Sequence, residues 1–245
     1  MEVPEWNRID PNTGLAKNDF MTIFLKFASE MALNEIVRNL CVNRSQELES
    51  LLEAASTTSI AASLCGNIFE AYVFRIMQKY SNFPWNARVL GTGDTESPVF
   101  EFRPSCGTDL ELNQFHNASE IIFFPTEIYK ASRKNYAGID GFCADGIFNM
   151  TVASKHEIIM RGDVIDLIKR GLNEGWFQMH SSGKAIGYLF FVPWNAFGSW
   201  TRAQPSKSRD RGFADLSLNL LQIAVEVPRP KSIVGKSPSF LEQSK

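Results

Sequence analysis

Residues 138–156, GIDGFCADGIFNMTVASKH, decide the expected fold, because they combine strand-forming side chains with a tight turn. Asp145-Gly146 is a strong two-residue signal for a β-hairpin. With these two residues as the turn, pairing outwards sets Asp140 opposite Thr151. The stretch therefore predicts two antiparallel strands with one carboxylate near the start of the first.

Alternation along these two strands sorts their side chains onto two faces, since directly opposed residues share a face. Asp140, Asn149 and Thr151 fall together on one face, and the other face is apolar or small and is expected to pack on the core. A carboxylate and an amide oxygen on one spot could bind a hard divalent cation. The same pattern also fits an ordinary exposed sheet face, and a register slip would scatter the set.

The rest of the chain shows helical patterns first and strand patterns later. Apolar residues keep helical spacing in three early segments and one late one: 19–40, 45–55, 60–80 and 164–170. After Pro84 the period changes to two and predicts further strands, at 87–90, 98–103, 119–124 and 185–193. Residues 216–228 form either a helix that leads into a last strand or a single strand. Helices combined with a hairpin indicate an α/β or α+β class with a mixed sheet.

Composition limits the classes of protein to which the chain could belong. The chain has 245 residues, 44% of them hydrophobic, which suffices for one large domain with or without a small helical appendage. A net charge of −2 gives no global positive field, so nucleic-acid binding would need a local patch. The four cysteines form no CxxC pair and argue against a zinc site; Cys65 and Cys143 are expected to be buried thiols. The apolar runs are too short to span a bilayer.

Two basic segments are candidate phosphate contacts. Lys130, Arg133 and Lys134 precede the hairpin, and a late loop beside Trp200 carries Arg202, Lys207, Arg209 and Arg211. The lysines and arginines could contact phosphates, and the tryptophan could stack on a base. Short basic loops are also common as plain solvated surface.

Several motifs resemble a known family. NYAGIDGF at 135–142, FNMTVASKHEI at 148–158 and the helical AASLCGNIFEAYVFRIM at 61–77 are similar to the C-terminal domains of Crinkler-type effectors and of retrotransposon hot spot proteins. The closing LLQIAVEVPRP also resembles the end of these domains. The resemblance covers about residues 55–230 and implies the restriction-endonuclease-like PD-(D/E)XK superfamily.

The resemblance implies an α/β fold, a restriction-endonuclease-like mixed sheet flanked by helices, with a short helical N-terminal extension. We therefore expect a helical extension over 1–55, the nuclease-like domain over 56–230 and a flexible tail over 231–245. The resemblance further implies a DNA-binding effector that acts inside a host cell, in its nucleus, and that cleaves with Mg²⁺ or Mn²⁺. The 19–40 helix is a candidate either for homodimer formation or for packing on the main domain.

The resemblance also assigns roles to single residues. Glu70, Asp140 and Asn149 would hold the metal, and Thr151 stands where active nucleases usually place a lysine. Lys155 and His156 are the remaining catalytic candidates, as a nearby cation and a general acid or base. Because Asn149 and Thr151 carry no charge, the alternative is a catalytically inactive nuclease-fold module that binds nucleic acid or host proteins.

Overall fold

The computed structural model describes residues 30–54, 59–79, 83–91, 97–106, 112–131, 138–153, 156–160, 162–178, 186–207 and 220–234. In these ranges the α-helices are α1 (Glu30–Asn43), α2 (Ser45–Ala54), α3 (Ser59–Lys79), α4 (Gly162–Asn173), α5 (Trp194–Phe197) and α6 (Pro230–Val234). The strands are β1 (Trp85–Val89), β2 (Phe100–Phe102), β3 (Asn113–Phe115), β4 (Tyr129–Ala131), β5 (Gly141–Cys143), β6 (Gly146–Met150), β7 (Ile158–Ile159), β8 (Ile186–Pro193), β9 (Ser206–Lys207) and β10 (Leu220–Val227).

Eight of these strands form one mixed sheet in the order β2-β1-β10-β8-β6-β5-β4-β3. The central strands β10, β8 and β6 run parallel, and β5 and β4 continue antiparallel from β6. β7 and β9 form a separate parallel pair. The α/β class with a mixed sheet is therefore confirmed, and the restriction-endonuclease-like topology stays a prediction.

Helices cover both faces of the large sheet. On one face Phe74 of α3 packs edge-on against Phe148 of β6, with ring centroids 5.9 Å apart. On the other face the amphipathic α4 buries its apolar side, which includes Leu167 and Ile168, against Phe142 and neighbouring side chains. The two apolar layers together exclude water from both sides of the central strands.

The helices before residue 55 share the core of the α3 face. Val37 of α1 and Leu48 and Leu52 of α2 are at most 1% exposed and belong to the same apolar cluster as α3. At the other end of the described chain, α6 packs on α2, where Arg229 approaches Glu49 at 3.4 Å. The first residues of the expected tail are thus helical up to Val234, and 235–245 lie outside the described residues.

The hairpin has a different turn from the one that the sequence predicted. β5 and β6 pair Phe142 with Ile147 and Cys143 with Gly146, so Ala144 and Asp145 form the turn. The expected turn at Asp145-Gly146 is therefore wrong, and so is the pairing of Asp140 with Thr151.

Burial of the Asp145 side chain explains this register. Its two carboxylate oxygens accept hydrogen bonds from the Ser105 backbone N–H at 2.7 Å and from the Ser105 hydroxyl at 2.6 Å. Gly146 begins the strand with a φ of +140°, and a Cβ there would lie 2.1 Å from the Gly187 carbonyl oxygen. These contacts place Asp145 inside the turn and leave Gly146 against β8.

Both faces of the hairpin are buried, so the expected exposed polar face is absent from this described stretch. Asn149 and Thr151 are each only 7% exposed. Each residue pairs with a partner two positions away from the predicted one, so the predicted alternation of side chains between the two faces is preserved. Phe148 and Met150 therefore still face α3, and Asn149 projects to the opposite side.

Most other predicted elements are confirmed with shifted ends. The helices predicted at 45–55 and 60–80 correspond to α2 and α3, and the single-strand interpretation of the last segment corresponds to β10. The strand predicted over 119–124 is wrong: Ala118–Glu120 is a short 3-10 helix and the residues after it are irregular. Of the 19–40 helix, residues 19–29 lie outside the described residues.

All four cysteines are buried free thiols, which confirms the expectation for Cys65 and Cys143. Within the described ranges, none of the helices combines the length and the apolar character needed to cross a bilayer.

Candidate functional site

Three charged side chains from separate elements interact electrostatically near the start of the β5–β6 hairpin. Glu70 comes from α3, Lys130 from β4, and Asp140 from the residue that precedes β5. The Lys130 ammonium lies 3.1 Å from Glu70 Oε1. The charge of Glu70 raises the pKa of Asp140 and the charge of Lys130 lowers it, so both groups act on the Asp140 carboxyl. We call these three residues the acid–lysine cluster.

Helical spacing explains how α3 holds the lysine. Glu70 and Phe74 are four residues apart, so both lie on one face of α3. The Lys130 ammonium lies 4.8 Å from the centroid of the Phe74 ring, in addition to its contact with Glu70. An aromatic face and a carboxylate together offset the cost of removing an ammonium from water. Consequently the Lys130 side chain is only 14% exposed.

A glycine sets the position of Lys130 across the sheet. Lys130 pairs with Gly141 in the antiparallel β4–β5 ladder. A Cβ at Gly141 would lie 2.3 Å from the Tyr129 carbonyl oxygen and 2.7 Å from Cζ of Phe148. The absence of a side chain at Gly141 therefore lets β4 approach β5 closely at Lys130.

The Asp140 carboxyl is held by the opposite strand. Its Oδ2 accepts a hydrogen bond from the Met150 backbone N–H at 2.6 Å. Asp140 as a whole residue keeps some exposure, but desolvation of the carboxyl, followed by repulsion from Glu70, raises its pKa to about 7. The Met150 N–H and Lys130 oppose this rise. A carboxyl with this pKa changes charge close to neutral pH, which is typical of functional sites.

Tyr188 fixes the segment that leads to Asp140. Its hydroxyl donates a hydrogen bond to the Gly138 carbonyl oxygen. Burial and the negative charge of Asp140 raise the pKa of Tyr188 well above its ordinary value, so it stays a neutral donor. The tyrosine therefore anchors the backbone two residues before the acid.

Asn149 and Thr151 do not join the acid–lysine cluster. Asn149 projects to the face away from α3, and its buried Oδ1 has no hydrogen-bond partner. The Thr151 hydroxyl accepts a hydrogen bond from the Ala153 backbone N–H at 3.1 Å. Of the predicted metal ligands, Glu70 and Asp140 are electrostatically coupled, and the amide oxygen of Asn149 is buried without a hydrogen-bond partner.

The two remaining catalytic candidates lie further along the chain. Lys155 lies outside the described residues. His156 is partly buried, its backbone N–H donates to Gln204 Oε1 at 2.9 Å, and its ring lies 6.1 Å from that of Phe190. Burial lowers the pKa of His156, which keeps the imidazole neutral at pH 7. These contacts give His156 a packing role beside Phe190.

The predicted phosphate contacts divide into three groups. Lys130 contacts Glu70 and the Phe74 ring. Arg202 is exposed, and Lys207 lies in β9. The others lie outside the described residues, namely Arg133, Lys134, Arg209 and Arg211. Base stacking by Trp200 is a wrong prediction, because this side chain is 0% exposed and packs on Phe190.

Sequence reasoning missed the ion pair between Lys130 and Glu70. Its one signal was the spacing of Glu70 and Phe74, which predicts a shared helix face but names no partner for it. The partner depends on the β4–β5 pairing, which joins residues that a sequence pattern does not connect.

The donor set at the cluster consists of carboxylate oxygens. Among the described residues, no three His, Cys, Asp or Glu side chains converge on a common metal position. Glu70 and Asp140 therefore provide two carboxylates without nitrogen or sulfur donors. Mg²⁺ accepts one or two protein carboxylates and keeps water as its other ligands, so this set fits Mg²⁺ or Mn²⁺ and does not resemble a zinc site.

Two known proteins share sequence with the chain. It is 29% identical over 148 residues to Crinkler effector protein 15 of Phytophthora infestans, and 29% identical over 153 residues to Crinkler effector protein 16 of the same organism. The chain is distantly similar to Crinkler effectors. Each match covers 60% of this chain and 24% of the relative, so the chain spans about a quarter of the length of these Crinkler proteins. No protein-family model matches the chain, and no solved structure matches it.

Proposed function

We propose that the chain is the nuclease-like module of a Crinkler-type effector, which binds a divalent metal through Glu70 and Asp140 and cleaves DNA phosphodiesters. The observation that supports this proposal is the electrostatic coupling between these two acids, one from α3 and one from the start of β5. Two carboxylates held near each other at a cost in charge repulsion are expected where a cation is bound. Distant similarity to Crinkler effectors supports the effector part of the proposal.

Each acid of the cluster has a second oxygen for this role. Asp140 uses Oδ2 for the Met150 N–H, and Glu70 uses Oε1 for Lys130, which leaves Oδ1 and Oε2 as metal ligands. When bound, the metal would supply charge stabilisation at the phosphate and a more acidic water. The hydrogen bond to Met150 orients the Asp140 carboxylate before any metal arrives, which reduces the ordering cost of binding.

The raised pKa of Asp140 predicts how metal binding depends on pH. The carboxylate must be ionised to bind a cation, and half of the free protein is protonated at Asp140 near pH 7. Mn²⁺ affinity is therefore expected to rise about tenfold for each pH unit below 7 and to level off above about pH 8. Titration of Mn²⁺ by electron paramagnetic resonance between pH 5.5 and pH 8.5 measures this profile. A flat profile over that range would contradict the role of Asp140 as a ligand.

Substitution of either acid tests the proposed cleavage. With plasmid DNA and Mg²⁺, the variants Glu70→Gln and Asp140→Asn are expected to cut at least about 100-fold more slowly than wild type, because metal stabilisation of the phosphate is worth several kcal/mol. Matched controls are Glu120→Gln and Asp166→Asn, which remove exposed carboxylates from the 3-10 helix Ala118–Glu120 and from α4. Equal cutting by wild type and Asp140→Asn would mean that a contaminant cuts the DNA, and the proposal would then fail.

A second candidate function is a module that keeps the fold without the chemistry. Two observations favour it: the Thr151 hydroxyl is used inside the chain, and Lys130 already neutralises Glu70. Such a module would bind nucleic acid or a host protein without cutting. Calorimetry with millimolar Mg²⁺ separates the two functions, since heat of binding supports the nuclease and its absence supports the inactive module. DNA binding that weakens with salt would then show that the ligand is nucleic acid.

A further inference from the structure

We infer that Lys130 is the residue that presents positive charge to the substrate phosphate at the acid–lysine cluster, a role that no side chain on β6 can fill. This inference rests on the proposed function and names the residue that completes the same site. It depends on the contact of the lysine with Glu70, on its partial burial and on the charge that it adds there.

The neighbours of Lys130 hold its ammonium at the acids. Glu70 accepts from it at 3.1 Å, and the Phe74 ring lies beneath it with its centroid at 4.8 Å. Because Glu70 and Phe74 project from consecutive turns of α3, they fix the lysine from two sides. The Lys130 side chain as a whole is 14% exposed.

The lysine determines whether the metal-loaded cluster is positively charged or neutral. Two ionised acids and one ammonium carry one net negative charge, which still attracts a divalent cation. With that cation bound, the cluster carries one net positive charge and attracts a phosphodiester. Without the lysine the loaded cluster would be neutral. Lys130 therefore lets one site bind a metal and then an anion.

No described residue on β6, or directly after it, offers the same charge. Thr151 is neutral and buried, and its hydroxyl accepts from Ala153. Asn149 is neutral and projects away from α3. Lys130 reaches the cluster from β4, the strand on the other side of β5.

The experiment compares the variants Lys130→Met and Lys130→Arg with wild type in two assays on the same protein samples. The first assay measures cleavage of a DNA oligonucleotide with saturating Mn²⁺, and the second measures Mn²⁺ affinity by electron paramagnetic resonance. We expect Lys130→Met to cut about 100-fold more slowly while its Mn²⁺ affinity is unchanged or higher, because a competing cation has been removed from the acids. Lys130→Arg keeps the charge and should recover part of the rate. The control is Lys169→Met, an exposed lysine on α4.

Two outcomes overturn the inference alone. One is a Lys130→Met protein that cuts within about threefold of wild type, a change too small for the loss of a transition-state charge. The other is a Lys130→Met or Lys130→Arg protein that loses Mn²⁺ affinity and cleavage in parallel, as expected for a lysine that only supports the fold. A wild-type protein that neither binds Mn²⁺ nor cuts DNA overturns the proposed function together with the role of Lys130.

Discussion

Replacing Asp140 with Asn is expected to stabilise the protein by about 2 kcal/mol at pH 8 and to have almost no effect at pH 4. The reason is the pKa of Asp140, which burial and the neighbouring Glu70 raise from 3.8 to about 7. A carboxyl whose pKa is higher in the folded state binds protons more tightly there than in the unfolded chain. The free energy of unfolding therefore falls as the pH rises from about 4 to about 7, and it is constant above that range with respect to this group.

Asparagine removes this dependence because it has no charge to bury. Its side-chain oxygen can still accept from the Met150 N–H, so the hydrogen bond that holds the segment is retained. The full shift of about three pKa units, which already includes the opposing effect of Lys130, would correspond to about 4 kcal/mol. We expect about half of this gain, because burying the amide NH2 group of asparagine has a desolvation cost of its own.

Urea unfolding at one-unit steps from pH 4 to pH 8, with a chelator present, measures the difference between Asp140→Asn and wild type. The difference isolates Asp140, since His156 titrates in both proteins. Asp166→Asn is the matched control, because this exposed aspartate lies on the solvent side of α4. Parallel curves for wild type and Asp140→Asn across the whole range would show that Asp140 has an ordinary pKa.

Replacing Gly138 with Ala is expected to lower the free energy of unfolding by about 4 kcal/mol or more, through a backbone clash combined with an unfavourable φ. Gly138 has a φ of +98°, and a Cβ there would lie 1.7 Å from the Ile159 carbonyl oxygen. The obstacle is backbone, so relief requires β7 to move away from the segment before β5. The Gly138 carbonyl also accepts from Tyr188, so the shift would disturb the approach to Asp140.

Alanine substitutions at two other glycines allow the cost of the clash to be distinguished from the cost of the unfavourable φ. Gly175 has a φ of +70°, and no atom lies within 4 Å of the position that an added methyl group would take, so Gly175→Ala should cost only about 1 kcal/mol. Gly198 has a helical φ of −58° and open space, so Gly198→Ala should be neutral or slightly stabilising. Thermal unfolding of the three variants gives the comparison. Similar losses for Gly138→Ala and Gly175→Ala would contradict the clash between Gly138 and β7.

Sequence patterns predicted the helices of this fold better than its strand pairing. The apolar stripe of α3 repeats over several consecutive turns, so its period could be recognised without knowledge of the elements that pack against it. The apolar run at 119–124 misled the prediction because β3 and β4 pair directly in parallel. Residues between two parallel neighbours form the crossover connection and cannot add a strand between them. β3 itself has the polar sequence NQF, which carries no strand pattern.

The candidate site shows the same division between local and long-range information. Glu70 and Asp140 could be named from the family resemblance of the sequence, and the charge of Glu70 acts on Asp140 in the folded chain. The register that places Asp140 depends on the Ser105 contacts of Asp145, which join residues 40 positions apart. The choice of Lys130 as the third member depends on the β4–β5 ladder. Neither interaction produces a periodic pattern in the sequence, so neither could be predicted from residue spacing.

The contacts of α2 with two distant segments determine where the protein can be truncated. Trp194 donates to Glu53 at 3.0 Å, and Arg229 approaches Glu49, so α2 is tied to segments more than a hundred residues away. Deleting residues 1–55 would remove Leu48 and Leu52 from the apolar cluster that they share with α3. The deletion would expose a large apolar surface, which would promote aggregation during expression. A soluble fragment for crystallisation should therefore start before Glu30 and finish after Val234.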